Sequence, residues 1–212
     1  MEQHVLQAPK PSFNAVWCLE TMAKIINLVT ERLLIRDMNQ HDLNFIHALH
    51  LIPEVQHYAT MDLPESVTAS IGYLNSYIEQ QNTTPRKEYG FCISLTNQIR
   101  IGLIGLSNCS DKFKNAELWF KLAPEYWGKG YTVEAALALL EFGFTQLLLH
   151  RIEAGVATEN TASIRVLEKI EMKREGLCRK ILPIRGEWKD NYHYALLEEE
   201  FLSNEQRFTT ST

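Results

Sequence analysis

Pro124-Glu125-Tyr126-Trp127-Gly128-Lys129-Gly130-Tyr131 decides how this chain is read. An apolar, strand-like segment runs into it, and a long segment rich in Ala and Leu follows. Two glycines separated by one residue let a backbone turn come close to another molecule. A helix that opens there directs unpaired N–H groups and a positive dipole end at the same point, which suits phosphate oxygens. The turn is not a P-loop, because Lys129 is followed by Gly130 and not by Ser or Thr.

A second block lies further along: His150-Arg151-Ile152-Glu153-Ala154-Gly155-Val156, then Glu159-Asn160-Thr161-Ala162-Ser163-Ile164-Arg165-Val166-Leu167-Glu168-Lys169. Its first half reads as a strand over Arg151–Ala157, its second as a helix from Asn160 to about Ile170 with Asn160 as N-cap. Between the blocks the pattern predicts a helix from about Thr132 to Leu149. Upstream, Thr30–Arg36 reads as a first strand. A helix capped by Asn39 or Asp42 then runs to about Leu51, where Pro53 ends it, and a second helix spans about Glu65–Gln81. Strands are expected over Glu88–Thr96, Arg100–Ser107 and Ala116–Ala123, the first two joined by a hairpin at Asn97-Gln98 and the last running into the glycine turn. Two final strands, about Lys173–Leu182 and Trp188–Glu199, meet across Ile184-Arg185-Gly186-Glu187. This β-α-α-β-β-β-α-β-α-β-β order predicts a mixed α/β fold: one three-layer domain with helices on both faces of a mixed sheet.

Together the two blocks resemble the GNAT superfamily of acetyl-CoA-dependent N-acetyltransferases, and within it the RimJ/RimL branch that acetylates the N-termini of ribosomal proteins. The resemblance runs from about Thr30 to Phe201. It implies the GNAT fold with a centrally splayed sheet, and acetyl-CoA as cosubstrate with no metal. The backbone of Trp127, Gly128, Lys129, Gly130 and Tyr131 is then expected to cradle the CoA pyrophosphate. In the family the strand before the turn hydrogen-bonds the pantetheine arm and acetyl group, which places Phe120 and Leu122 at the acetyl end. Leu118, Phe120 and Leu122 also read simply as the core face of a strand.

Asn160 has its capping role and, by resemblance, a second as a hydrogen-bond partner of the cofactor arm. Ser163 stands where RimL-like members carry their suspected proton donor, while the tyrosine that many GNATs use is absent, Leu167 taking its position. Ser163 is otherwise a helix-start serine. Glu117 is the candidate general base, or else a charge paired with Lys121 or another base. The family writes this strand Ala-Glu-Ile-Gly-Tyr-Trp-Leu; here Ala116-Glu117-Leu118-Trp119-Phe120-Lys121-Leu122 keeps the glutamate and changes the acceptor side. Two further departures are Glu125, where the family has Gln or Arg, and Ile170-Glu171-Met172, where it has Leu-Gly-Phe and the glycine closes the helix.

The rest of the chain bounds these readings. At 212 residues it is long enough for one well-buried domain, expected over 28–203 between an extension at 1–27 and a tail at 204–212. A net charge of −5 argues against a nucleic-acid surface, and the cations around Lys173, Arg174, Arg179 and Lys180 read as a solvated strand face. The four cysteines form no Cys-x-x-Cys pair, so they read as reduced thiols of a cytoplasmic protein. None lies in the motif blocks, so no acetyl-enzyme is expected. His47 and His50 lack a further ligand at metal spacing. No apolar run is long enough to span a bilayer. Val16, Trp17, Leu19, Met22, Ile25 and Ile26 are placed for an amphipathic helix packed on the domain surface.

The expected activity is therefore direct acetyl transfer to a primary amine by a monomer or homodimer. A protein N-terminus comes first as acceptor, with a small-molecule amine, or an idle acyl-CoA-binding module, as alternatives.

Overall fold

A computed structural model describes residues 25–209. Eight strands form one sheet: β1 (Asn27–Val29), β2 (Leu33–Asp37), β3 (Tyr89–Leu95), β4 (Arg100–Ser110), β5 (Asn115–Leu122), β6 (Arg151–Ala157), β7 (Lys173–Ile184) and β8 (Glu187–Leu197). The helices are α1 (Leu43–His50), α2 (Pro53–Gln56), α3 (Val67–Gln81), α4 (Tyr131–Thr145), α5 (Thr161–Lys169) and α6 (Glu198–Thr209). The spatial order is β1-β2-β3-β4-β5-β6-β8-β7, and β5–β6 is the parallel junction in an otherwise antiparallel sheet.

Helices cover both faces, as the element order predicts. On one face Ile35, Phe91, Ile104 and Leu118 pack with Leu139 and Leu140 of α4, Leu167 of α5 and Phe201 of α6. On the other Cys92 and Leu103 pack with Ile46 and Leu49 of α1 and Leu74 of α3. Central strands buried on both faces read as unbroken apolar runs, which is why Ile101–Leu106 shows no alternation.

Several boundaries differ from expectation. The expected N-terminal helix lies outside the described residues as far as residue 24. Ile25 and Ile26 are not helical; they lead into β1, and the Ile26 N–H donates to Asp37 Oδ2 at 2.9 Å. Asn39 caps a 3-10 turn, Gln40–Asp42, rather than α1 itself, and the Asp42 carboxylate returns to the Asn39 N–H. The short α2 and the terminal α6 were not anticipated, the latter because Glu198 and Glu199 read as the end of a strand.

Helix α4 stops at Thr145, four residues short of the expected Leu149. The Leu147 N–H reaches back to Phe142 O and Leu149 N–H to Gly143 O, with Leu148 at φ 53°. Leu149 stays in the core after the helix has ended, so the apolar pattern overruns the backbone break.

Helix α5 closes in the left-handed turn despite the glutamate at 171. Glu171 adopts φ 62°, its N–H bonds Glu168 O, and the Met172 N–H bonds Leu167 O. This is the closure that glycine usually provides.

Candidate active site

Strands β5 and β6 are in register only at Asn115↔Arg151, Ala116↔Ile152 and Glu117↔Glu153. Beyond that point they separate, β5 held by β4 through Leu122↔Gly102 and β6 held by β8 through Ala157↔Asn191. The facing edges of Leu118–Leu122 and Ala154–Ala157 thus have no strand partner. They open into a cleft of ≈ 1220 Å³. The cleft collects Glu117, Phe120, Leu122, Trp127, Gly128, Gly130, Tyr131, Asn160 and Ser163, all but one of the residues singled out from sequence. Lys129 is the exception: its backbone carbonyl accepts from Arg32 at 3.1 Å and its ammonium lies over the Tyr126 ring.

The glycine turn closes one end of the cleft. Gly128 and Gly130 sit at φ 73° and φ 83°, the left-handed region where a side chain is strained. Gly130 is the N-cap of α4 with no side-chain cap, and the first helical bond runs from Glu134 N–H to Gly130 O. The N–H groups ahead of Glu134 therefore point out of the helix end, where an anion fits.

A clamp invisible to the sequence patterns fixes this turn. Arg32 binds Glu134 at 2.6 Å, donates to Lys129 O, and stacks on Tyr131 with 4.7 Å to the ring centroid. Glu134 also accepts from Thr30 Oγ1 at 2.6 Å. Thr30 and Arg32 were read as strand residues; no local pattern signals a contact across about a hundred positions of chain.

The start of α5 forms one wall. The Asn160 side-chain oxygen accepts from the Ser163 N–H at 3.1 Å, so the capping role holds. The Asn160 amide nitrogen has no protein partner among the described residues and stays available to a ligand. Leu167 is buried in the core and its side chain also backs the cleft.

Glu117, Trp119 and Lys121 alternate on the opposite face of β5, where Trp119 packs with α1 and α3 and Lys121 reaches His50 at the end of α1. Glu117 is exposed and makes no ion pair with Lys121. The Lys121 ammonium instead lies 3.4 Å from His50 Nε2 and contacts Met61 Sδ. Burial pulls Lys121 down to about 8. Burial, then the charges of Lys121 and His47, push His50 down to about 3, so that imidazole is neutral. Tyr73, Tyr77 and Trp119 form an aromatic wall, Tyr77 lying 5.8 Å from Trp119. Trp119 Nε1 and Asn191 Oδ1 are buried without a hydrogen-bond partner and both residues line the cleft. Tyr58 donates to Glu159 O at 3.1 Å, tying the segment after α2 to the β6–α5 turn.

Burial raises Cys92 and Cys109 to about 12, which leaves both as poor nucleophiles. His47 Nδ1 is engaged by Ser70 Oγ at 2.9 Å. No helix among the described residues is long and apolar enough to cross a membrane.

A family profile for the acetyltransferase (GNAT) domain matches residues 32–173. The uncharacterized N-acetyltransferase p20 of Bacillus licheniformis is 30% identical over 82% of this chain and 97% of that protein. YnaD of Bacillus subtilis, an uncharacterized N-acetyltransferase, is 49% identical over 40% of this chain, and the match spans half of that protein. Among solved structures, Vibrio cholerae spermidine N-acetyltransferase in complex with CoA and spermine superposes with TM-score 0.74 at 26% identity, over 82% of this chain and 99% of that one. Mycobacterium smegmatis RimJ in complex with CoA-disulfide superposes with TM-score 0.73 at 23% identity, over 83% and 88%.

Proposed function

Since the chain belongs to the GNAT acetyltransferase family, we propose that it moves an acetyl group from acetyl-CoA directly to the primary amine of a small molecule. The observation that carries this reading is the separation of β5 from β6 beside the left-handed glycine turn. When bound, acetyl-CoA supplies the thioester carbonyl that the amine attacks. The residues present fit it. The turn at 127–131 offers backbone N–H groups to the pyrophosphate. The unpaired edge around Phe120 and Leu122 offers main-chain groups to the pantetheine arm and the carbonyl, as does Asn160 through its free amide nitrogen.

Glu117, exposed in the mouth of the split, takes the amine proton through a water. Ser163 hydrogen-bonds the departing thiolate from the first turn of α5. Its hydroxyl is a weak acid, so it acts by hydrogen bond or relay rather than by intrinsic acidity. The acetyltransferase domain spans 28–203 in this reading, as a cytoplasmic monomer or homodimer.

A small acceptor is favoured over a protein N-terminus. The likeness to a spermidine acetyltransferase in complex with spermine stands above that to RimJ, whose identity bears on the fold alone. The tie between Tyr58 and Glu159 also bridges the cleft.

Thiol release from acetyl-CoA with a panel of small amines and N-terminal peptides tests the reading. Gly128→Val should remove acetyl-CoA binding by calorimetry while the fold survives, since strain at φ 73° and not lack of space is what it introduces. Glu117→Gln should lower kcat by about 100-fold with little change in the KM for acetyl-CoA. Acetyl-CoA binding without thiol release for any amine would replace the enzyme by an acyl-CoA-binding module.

A further inference from the structure

We propose that Lys121 makes the acceptor end of the cleft select a primary amine carrying an anionic group, and turn away polyamines. The inference rests on the transferase reading of the cleft and names its acceptor class.

Lys121 is a half-buried cation without a counterion. No carboxylate among the described residues lies in ion-pair reach of it. Its neighbours are a neutral imidazole and a thioether, His50 and Met61. Burial is the sole cause of its lowered pKa, so no nearby acid compensates its charge. At neutral pH it remains mostly protonated. An uncompensated cation in a partly dry site is costly, and an anion brought by the ligand removes that cost.

The surroundings agree. Around the cleft as a whole Arg165, Lys169 and Arg185 join Lys121, against the two carboxylates Glu54 and Glu117. Asp62 and Glu65 line a separate hollow of ≈ 270 Å³ that shares Met61 with the cleft. Glu117 and Lys121 lie on one face of β5, about 13 Å apart at strand rise. The hydrogen bonds at its two ends take up about 5–6 Å of that distance, so an acceptor of roughly 8 Å presents its amine at Glu117 and its anion at Lys121. The aromatic wall of Tyr73, Tyr77 and Trp119 flanks the chain between them. A polyamine in the same pose would set a second ammonium against Lys121, a like-charge clash that acts as a filter.

The test uses three amines of one chain length: aminohexanoate, hexylamine and hexamethylenediamine. Each is titrated calorimetrically into the CoA-bound protein and assayed for kcat/KM with acetyl-CoA. In the wild type aminohexanoate should lead hexylamine by about tenfold, with the diamine weakest. Lys121→Met should erase the lead of the carboxylate, and Lys121→Glu should put the diamine first, both with acetyl-CoA affinity unchanged. A wild type that prefers the diamine, an order unmoved by Lys121→Glu, or binding of none of the three would overturn the inference. Failure to bind acetyl-CoA at all would instead sink the transferase reading beneath it.

Discussion

In the proposed reaction Ser163 and Asn160 would serve fold and chemistry together. The Asn160 oxygen is spent on the Ser163 N–H, which leaves its amide nitrogen and the Ser163 hydroxyl turned to the cleft. Ser163 is therefore held by its backbone while its side chain is free to act. Ser163→Ala should lower kcat and kcat/KM together and leave acetyl-CoA affinity within a few-fold, because a bond to the thiolate counts mainly in the transition state. The helix should survive the change, since Asn160 caps through the N–H that alanine keeps. A melting curve beside steady-state kinetics separates the outcomes; lost stability with unchanged kcat would leave Ser163 structural. The Asn160 cap was legible in sequence because it acts within three positions of chain, whereas the chemistry proposed for the pair came from family resemblance. The role of Lys121 was not legible: its neighbours His50 and Met61 are 71 and 60 positions away, and a pairing with Glu117, four residues off on the same strand, was the local guess.

Among the elements, the glycine turn depends on a connection far from it in sequence. Arg32 and Thr30, at the β1–β2 connection, hold Glu134 in the first turn of α4, and Arg32 also holds the Lys129 carbonyl. Burial alone would push the Glu134 carboxyl up; the bonds from Thr30 and Arg32 outweigh it and hold it below its ordinary value. The turn is thus fixed before ligand arrives, so less ordering is lost on binding. Arg32→Ala should weaken acetyl-CoA binding by roughly tenfold at unchanged kcat, the exposed side of this pair limiting its effect on stability to about 1 kcal/mol. Calorimetry on the variant checks it, and equal affinity would reduce the clamp to a surface contact. Elements whose pattern is periodic were read closely: β6 matches its expected span, and α5 differs by a residue at each end. Those missed lack such a pattern. β1 has three residues, and its register with β2 comes from Asp37 receiving Ile26. The end of α4 is hidden by leucines that stay buried past it.

At the scale of the molecule, acceptor pocket and stability meet in His50. It is 1% exposed, stacked edge-on against Tyr73, and keeps its neutral ring beside the Lys121 ammonium. Protonated, it would put two buried cations in contact. Its pKa is about 3 folded against 6.5 for the ordinary group. Between those values the unfolded chain binds more protons than the folded one, so stability falls as pH falls through that window. The loss from pH 6.5 to 4.5 should be on the order of 2–3 kcal/mol from His50 alone. Asp42 extends the decline. Burial would push its carboxyl up, but hydrogen bonds from Arg36, the Asn39 N–H and Arg100 hold it below 3.8. Its contribution is present above its unfolded pKa and is lost as pH falls through the lower folded value. Denaturant titrations at a series of pH values should therefore show a first loss below about pH 6.5, steepening below 4. His50→Leu removes the imidazole and should flatten the first phase while leaving the second, which belongs to Asp42 in the 3-10 turn ahead of α1. Identical pH profiles for wild type and His50→Leu would show that the first phase arises elsewhere.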